Sequence, residues 1–264
     1  MSSVLFLGSG GARFVVARQL RASGGIWLRL GQTQIHLDPG PGALVRALSH
    51  VPPCNPRELD AIVLSHKHLD HAADATALIE AMTSGGFRRR GVLLAPADAL
   101  DSEPTVLPYA QCFVERIERL TARGGPYRIG DVELRTSLAH VHSVETYGMH
   151  FTHNGLGVSY LPCGRYFDGL GEDYAGHKPD VLILNVLRFR DGMDVDHLTW
   201  DEAKKIVEIV RPRVAVFQHF GTKMLEQNPA KLAQSVEDDL GLRAIAAYDG
   251  LELDLDTEVA AVDA

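Results

Sequence analysis

The strongest constraint on this chain is a block of metal-ligating residue types at the end of a predicted buried strand. Three histidines and one aspartate fall within six consecutive positions: His66, His68, Asp70 and His71. In an extended segment that leaves the apolar strand 61–65, His66 and His68 point to the same side. Asp70 and His71 follow as the chain turns into a predicted helix over 72–82. Imidazole and carboxylate together suit zinc, iron or manganese, so the spacing favours a metal site over a solvated loop.

The rest of the sequence alternates predicted strands and helices without an obvious linker, which predicts one domain over 1–264. Thr199 and Glu202 have the spacing of a capping box, and Pro212 ends the helix that it opens. Hairpins come first and strand–helix units later, a pattern typical of layered α/β proteins. Strands are predicted over 4–7, 26–30, 33–37, 61–65, 92–95, 132–138, 148–152, 156–161, 181–186, 214–217, 244–247 and 251–255. Helices are predicted over 43–48, 72–82, 113–120, 200–211 and 229–240.

Composition narrows the classes of partner and compartment. The three cysteines are odd in number and lack C-x-x-C spacing, so a disulfide framework is disfavoured and a reducing, cytoplasmic location is predicted. No apolar run approaches the roughly 18 residues that span a bilayer, so no membrane association is expected. A net charge of −8 disfavours an extended nucleic-acid footprint. The local exception is 88–90, three arginines that are either a solvated loop or a contact for a polyanionic substrate.

The H-x-H-x-D-H block resembles the signature of the metallo-β-lactamase-fold hydrolases. Further segments are similar to motifs of the branch that contains the tRNA 3′-processing endonucleases and the PhnP-type phosphodiesterases. These segments are 6–11, 37–42, 142–148, 197–203 and 214–221. The resemblance implies an αββα sandwich, in which two mixed β-sheets pack face to face, helices cover both outer faces and a dinuclear metal site lies at one edge.

The same resemblance implies the ligands of both metals. Metal one would be held by His66, His68 and His142, and metal two by Asp70, His71 and His219. His140 competes with His142, and we favour His142 because the motif residues Ser-Val-Glu-Thr-Tyr-Gly follow it. Two zinc ions are expected, with manganese or iron as alternatives.

One position departs from the family pattern. The aspartate that bridges both metals in the family is replaced here by Cys163. A thiolate binds zinc or iron, so Cys163 is either a substitute ligand or a non-ligand that leaves one metal weak or absent. Asp168 could take the place only if its loop folds back. Cys54 and Cys112 carry no functional interpretation.

These residues predict a metal-dependent hydrolase that acts through metal-activated water. Asp70 is the candidate catalytic group that orients the water or takes its proton. His197 is the candidate general acid or phosphate contact, because it precedes a helix N-terminus, where anions are favoured. Nearby Asp194 and Asp196 are expected to be solvated loop charges.

The expected substrate is a small or cyclic phosphodiester. RNA 3′-end cleavage is the runner-up, disfavoured because no protruding Gly/Pro-rich arm is evident within 85–130. An iron-dependent oxidoreductase and a non-catalytic metal-binding relative are the alternatives from other classes. The resemblance also leaves homodimer formation open.

Overall fold

The computed structural model describes residues 1–190 and 195–262, and two seven-stranded mixed sheets form their framework. The strands of the first sheet are β1 (Ser2–Phe6), β2 (Ile26–Leu30), β3 (Thr33–Leu37), β4 (Ala61–Val63), β5 (Val92–Pro96), β6 (Arg116–Leu120) and β14 (Glu252–Asp254). The strands of the second sheet are β7 (Tyr127–Ile129), β8 (Val132–Ala139), β9 (Tyr147–His153), β10 (Leu156–Leu161), β11 (Val181–Asn185), β12 (Val214–Gln218) and β13 (Arg243–Ala246).

Each sheet combines antiparallel and parallel pairs. The spatial order is β14-β1-β2-β3-β4-β5-β6 in the first sheet and β13-β12-β11-β10-β9-β8-β7 in the second. In the first sheet β3 to β6 are parallel neighbours, and in the second β10 to β13 are. The carboxyl ends of neighbouring parallel strands meet at one edge of a sheet, where ligand-binding residues of α/β proteins usually lie.

The main core lies between the two sheets. Ile35 on β3, Phe151 on β9 and Val216 on β12 belong to one buried cluster that draws from both sheets. Side chains alternate across a strand, so every second residue of these strands points away from this core. Helices cover the outward residues, and the burial of this apolar surface stabilises the packing of helices on the sheets.

Helices cover both outer faces. They are α1 (Ala12–Arg18), α2 (Ala43–Ser49), α3 (Leu69–Ala72), α4 (Ala75–Thr83), α5 (Ala97–Leu100), α6 (Pro108–Gln111), α7 (Leu170–Gly176), α8 (Trp200–Val210), α9 (Thr222–Glu226), α10 (Pro229–Leu240) and α11 (Leu255–Val262). Buried residues of α2 and α4 pack on the first sheet, and those of α7, α8 and α10 pack on the second. The αββα architecture predicted from the sequence is confirmed.

Several local predictions are confirmed and two are corrected. The 26–30/33–37 hairpin and the helix 229–240 have the predicted bounds, and Thr199 and Glu202 form a complete capping box. The predicted helix over 113–120 is wrong, because 116–120 pairs with β5 as the edge strand β6. The predicted strand 251–255 is shorter, since Leu255 begins α11. Within the described residues, no helix is both long and apolar enough to cross a bilayer.

Candidate metal centre

The H-x-H-x-D-H block lies where β4 leaves the first sheet. His66 and His68 are in the extended segment after β4, and His68 has φ −60° and ψ 148° just before α3. Asp70 and His71 lie within this four-residue helix, so the chain turns between the two pairs. The short helix therefore aims the second pair at a different point from the first, as the sequence predicts.

His66, His68 and His142 form a first triad, whose ligand atoms all lie within 4.8 Å of one another. His142 Nε2 is 3.1 Å from His68 Nδ1. Burial lowers the pKa of His68 to about 4 and that of His142 to about 3, so both rings stay neutral, the form that ligates metal. His66 Nε2 and His142 Nδ1 are buried without a hydrogen-bond partner, which is rare for polar atoms. This donor set fits a bound cation.

Asp70, His71 and His219 form a second triad with the same 4.8 Å limit. His219 Nε2 is 3.0 Å from His71 Nε2 and 3.2 Å from Asp70 Oδ2. Burial opposes the protonation of His219, but the neighbouring Cys163 and Asp70 raise its pKa to about 9. His219 follows β12 and has φ 62°, a left-handed conformation that is costly for a residue other than glycine and typical of functional sites.

Cys163 lies between the two triads. It groups with His66 of the first and His71 of the second, and its Sγ is 3.5 Å from His71 Nε2 and 3.6 Å from His219 Nε2. The thiol therefore occupies the region that a bridging ligand would need. Asp168, the alternative, is exposed and lies near Lys205 instead.

The structure gives His140 and His142 different contacts. Both ring nitrogens of His140 are engaged, Nδ1 at 3.1 Å from the Cys163 carbonyl oxygen and Nε2 at 3.0 Å from the Tyr174 hydroxyl. His140 therefore orients the Cys163 loop, whereas His142 belongs to the first triad.

A buried carboxylate that the sequence reasoning did not single out supports both triads. Asp38 follows β3 and accepts hydrogen bonds from the Ser65 backbone N–H and hydroxyl, each at 2.6 Å. It also accepts from the Tyr160 hydroxyl at 2.8 Å and lies 2.9 Å from His71 Nδ1. A proton on His71 Nδ1 leaves its Nε2 available to the second triad. The available signal is that Asp38 lies in the segment 37–42, which resembles a family motif.

A polar network continues from Asp38 beneath Cys163. Asn185 donates to the Tyr160 hydroxyl at 3.0 Å, and the same amide nitrogen is 3.5 Å from Cys163 Sγ. Gln218 donates to the Asn185 side-chain oxygen at 2.7 Å. These three side chains come from β10, β11 and β12, so the parallel strand ends fix the position of the thiol.

His197 stands at the rim of the centre. Its ring centroid is 5.3 Å from that of His142 and 6.0 Å from that of His219. Its carbonyl oxygen accepts two hydrogen bonds from the Arg188 guanidinium, at 2.9 and 2.6 Å, and its Nδ1 is buried without a partner. Asp196 is partly exposed and pairs with Arg165 at 3.0 Å, and Asp194 lies outside the described residues.

The arginines at 88–90 lie far from the centre along the strand direction. They precede β5, at the amino ends of the parallel strands β4 and β5, whereas the metal-ligating block follows the carboxyl end of β4. Arg89 donates to the Val114 carbonyl, and Arg90 pairs with Asp60 at 3.4 Å. These contacts favour a structural role for the arginines over substrate binding.

Comparison with known proteins supplies the family. A model described as "Beta-lactamase superfamily domain" matches residues 33–220. Protein MJ1374 of Methanocaldococcus jannaschii is 28% identical over 260 residues, covering 96% of this chain and 94% of its own. YhfI of Bacillus subtilis, described as a probable metallo-hydrolase, is 25% identical over 232 residues, covering 81% and 86%.

Solved structures show the same fold. The crystal structure of YhfI superposes with a TM-score of 0.76 at 22% identity, covering 96% of this chain and 98% of YhfI. A diphosphatase of the PhnP family superposes with a TM-score of 0.67 at 22% identity, covering 96% and 98%.

The glycine turn before α1 gives a test of the second triad. Gly11 N–H donates to the Phe220 carbonyl at 3.2 Å, and a Cβ at Gly11 would overlap the His219 imidazole. We expect Gly11→Ala to displace His219 and weaken one metal by on the order of 10–100-fold, the range seen when ligand orientation is lost. Zinc titration followed by calorimetry measures this.

Gly157→Ala is the matched control, because the nearest atom to its added Cβ lies at 3.4 Å, an ordinary contact. Equal zinc affinities for the two variants would show that His219 holds no metal.

Proposed function

The chain belongs to the β-lactamase superfamily and has the metallo-β-lactamase fold, and from this premise we propose that it is a metal-dependent hydrolase of small or cyclic phosphodiesters. The observation that carries the proposal is the meeting of two ligand triads at Cys163. Two triads of imidazole and carboxylate groups with a thiol between them match a dinuclear site, and they favour zinc over manganese because the thiol is a soft ligand.

The proposed ligands are His66, His68 and His142 for one cation, and Asp70, His71 and His219 for the other, with Cys163 adjacent to both. Bound divalent cations of this kind stabilise charge on a phosphoryl oxygen and lower the pKa of water toward ~7. The protein contributes the fixed geometry, since Asp38 and His140 hold the ligand-bearing segments from behind.

We propose that Asp70 orients a water molecule. Its Oδ2 accepts a hydrogen bond from the Ala12 backbone N–H at 3.0 Å and contacts His219, so the carboxylate is held on one side. The second oxygen of the same carboxylate can accept a hydrogen bond from water. We assign Asp70 this orienting role together with its role as a ligand.

His197 is proposed to contact the phosphate or protonate the leaving oxygen. The two hydrogen bonds from Arg188 fix its backbone beside the first triad, and its side chain is only partly buried. The helix N-terminus that follows does not add anion affinity, because Thr199 and Glu202 already cap it and Asp201 adds further negative charge. Among the described residues of this loop, His197 itself is the proposed anion contact.

Substrate size is inferred from what surrounds the centre. Residues 85–130, all of which the structure describes, form β5, α5, α6, β6 and β7 instead of a projecting RNA-binding arm. The net charge of −8 opposes a long polyanion, and the arginine triplet lies at the other end of the first sheet. These features favour a small phosphodiester over RNA. Homodimer formation and cytoplasmic location stay predictions from the sequence.

Hydrolysis of bis-p-nitrophenyl phosphate by zinc-loaded protein tests the proposed activity. We expect turnover, and we expect His197→Ala to lower kcat by about 10²–10⁴-fold, the usual contribution of a general acid, with metal content unchanged. His50→Ala is the control, because His50 pairs with Glu252 away from the centre. Metal loss in His197→Ala would make His197 a ligand.

Two other outcomes would overturn the phosphodiesterase proposal. Zinc-loaded protein that binds phosphate without turnover would indicate a non-catalytic relative. Purification with iron and a redox-active spectrum would favour the oxidoreductase.

Cobalt substitution tests whether Cys163 is a ligand. Because Cys163 Sγ lies 3.5–3.6 Å from nitrogens of His71 and His219, we expect the near-ultraviolet absorption of a thiolate–cobalt bond. Cys163→Ser should abolish this band and Cys112→Ser, at an exposed thiol, should leave it unchanged. A band that persists in Cys163→Ser would show that Cys163 is not a ligand. If Cys163 is a weak substitute for the family's aspartate, Cys163→Asp should raise the affinity for the second metal.

A further inference from the structure

A separate group of ligating side chains lies on the outer face of the second sheet. Met149 and Phe151 of β9 point into the core between the sheets, so His150 between them points outward toward α7. Asp173 and His177 are four positions apart, within α7 and at its C-terminal cap, and therefore share one face. One ligand atom from each of the three side chains lies within 4.8 Å of the others.

We infer that His150, Asp173 and His177 form a second binding site for a divalent transition-metal ion, distinct from the centre at Cys163. Two imidazoles and one carboxylate are a ligand set that suits zinc, with positions left for water. This inference does not rest on the proposed hydrolase function.

His150 provides the independent observation that points to a ligand. The residue is 4% exposed, its Nδ1 is 2.7 Å from the Ser159 hydroxyl, and its Nε2 is buried without a partner. When Nδ1–H donates to Ser159, the Nε2 lone pair remains for an ion, the arrangement that fixes metal-binding histidines. Burial and the adjacent His177 lower the pKa of His150 to about 2, which keeps the ring neutral.

His177 is the adjustable ligand. Its ring stacks on His150 with centroids 3.5 Å apart and an interplanar angle of 10°. An ion lies in the plane of each imidazole that binds it, so two parallel stacked rings cannot share one ion. The proposed site therefore requires the His177 side chain to rotate out of the stack, and its exposed position at the end of α7 leaves room for this.

The Asp173 carboxylate already binds the Arg123 guanidinium, which competes with a metal ion for it. Its Oδ1 accepts hydrogen bonds from Arg123 Nε and Nη2 at 3.1 and 3.0 Å, and its Oδ2 accepts from the Leu138 N–H at 2.9 Å. The Asp173 side chain is 8% exposed, whereas that of Arg123 is 71% exposed. A metal ion would displace the exposed guanidinium, so Arg123 lowers the affinity of the site.

Metal at this site would anchor α7 to β9 on the far side of Tyr174 from the first centre. The His150 ring packs edge-on against Tyr174 at 4.8 Å, and the Tyr174 hydroxyl is 3.0 Å from His140, which orients the Cys163 loop. A metal ion bound by His150, Asp173 and His177 would therefore stabilise, through Tyr174 and His140, the loop that carries Cys163.

Zinc titration of full-length protein tests the inference. All variants carry Asp70→Asn, which weakens zinc binding at the second triad. Zinc bound at the centre near Cys163 is thereby distinguished from zinc bound at His150, Asp173 and His177. We expect His177→Ala to lose one equivalent of zinc. The affinity at that site should fall by at least ~100-fold, because losing a ligand costs more than the 10–100-fold of losing a group that orients one. Arg123→Gln should raise affinity roughly two- to fivefold, as expected for removing an exposed ion pair.

Glu172→Gln is the matched control, because it removes an acidic side chain from the same helix without touching the cluster. The same zinc stoichiometry in His177→Ala and Glu172→Gln overturns the inference, as does a weaker site in Arg123→Gln. Circular dichroism of each variant checks that α7 stays folded. These outcomes are read from zinc binding and not from turnover. The inference of a second metal site and the proposed hydrolase function can therefore fail independently.

Discussion

The buried Asp38 carboxylate is the interaction on which the rest of the site depends. A buried charge is costly unless it is fully hydrogen-bonded. Asp38 is satisfied by Ser65 in the segment after β4, by Tyr160 on β10 of the second sheet and by His71 on α3. This charge is stable only when both sheets and the short helix are in their native positions. The same bonds set the ring of His71, so folding of the sandwich and orientation of a metal ligand are one event.

The second principle of the site is the meeting of parallel strand ends. His66 follows β4 of the first sheet, and Cys163 and His219 follow β10 and β12 of the second. The packing of the two sheets therefore brings together ligands that are far apart in the chain. Three residues of the site have the left-handed backbone that is costly for residues other than glycine: Ala12 (φ 53°), Asp38 (φ 52°) and His219 (φ 62°). Asn185 and Gln218 complete the arrangement below the thiol. Rigid strands therefore fix the ligands, while Arg188 holds the His197 backbone through its carbonyl oxygen.

The sequence predicted elements whose signals are local. The 26–30/33–37 hairpin follows from alternation around a glycine turn, and the α8 cap follows from Thr199 and Glu202. The metal-ligating block was recognisable because its spacing is specific. In contrast, 116–120 reads as a helix yet forms an edge strand, because pairing with β5 outweighs its weak local preference. The seven-residue helices α1 and α7 have little signal of their own, since tertiary contacts stabilise them.

Roles that depend on long-range contacts could not be predicted. Asp38 is one aspartate among many until the fold brings Tyr160 and His71 to it. The motif that follows His142 favoured it over His140 as a ligand, but the contact of His140 with the Cys163 carbonyl depends on the fold. Likewise His150 meets Asp173 only when α7 packs on the second sheet. Anomalous X-ray scattering at the zinc edge, from crystals of the zinc-loaded protein, tests the central claim most directly. The account predicts two neighbouring ions, one bound by His66, His68 and His142 and the other by Asp70, His71 and His219. Absence of zinc from the space between these side chains would contradict it.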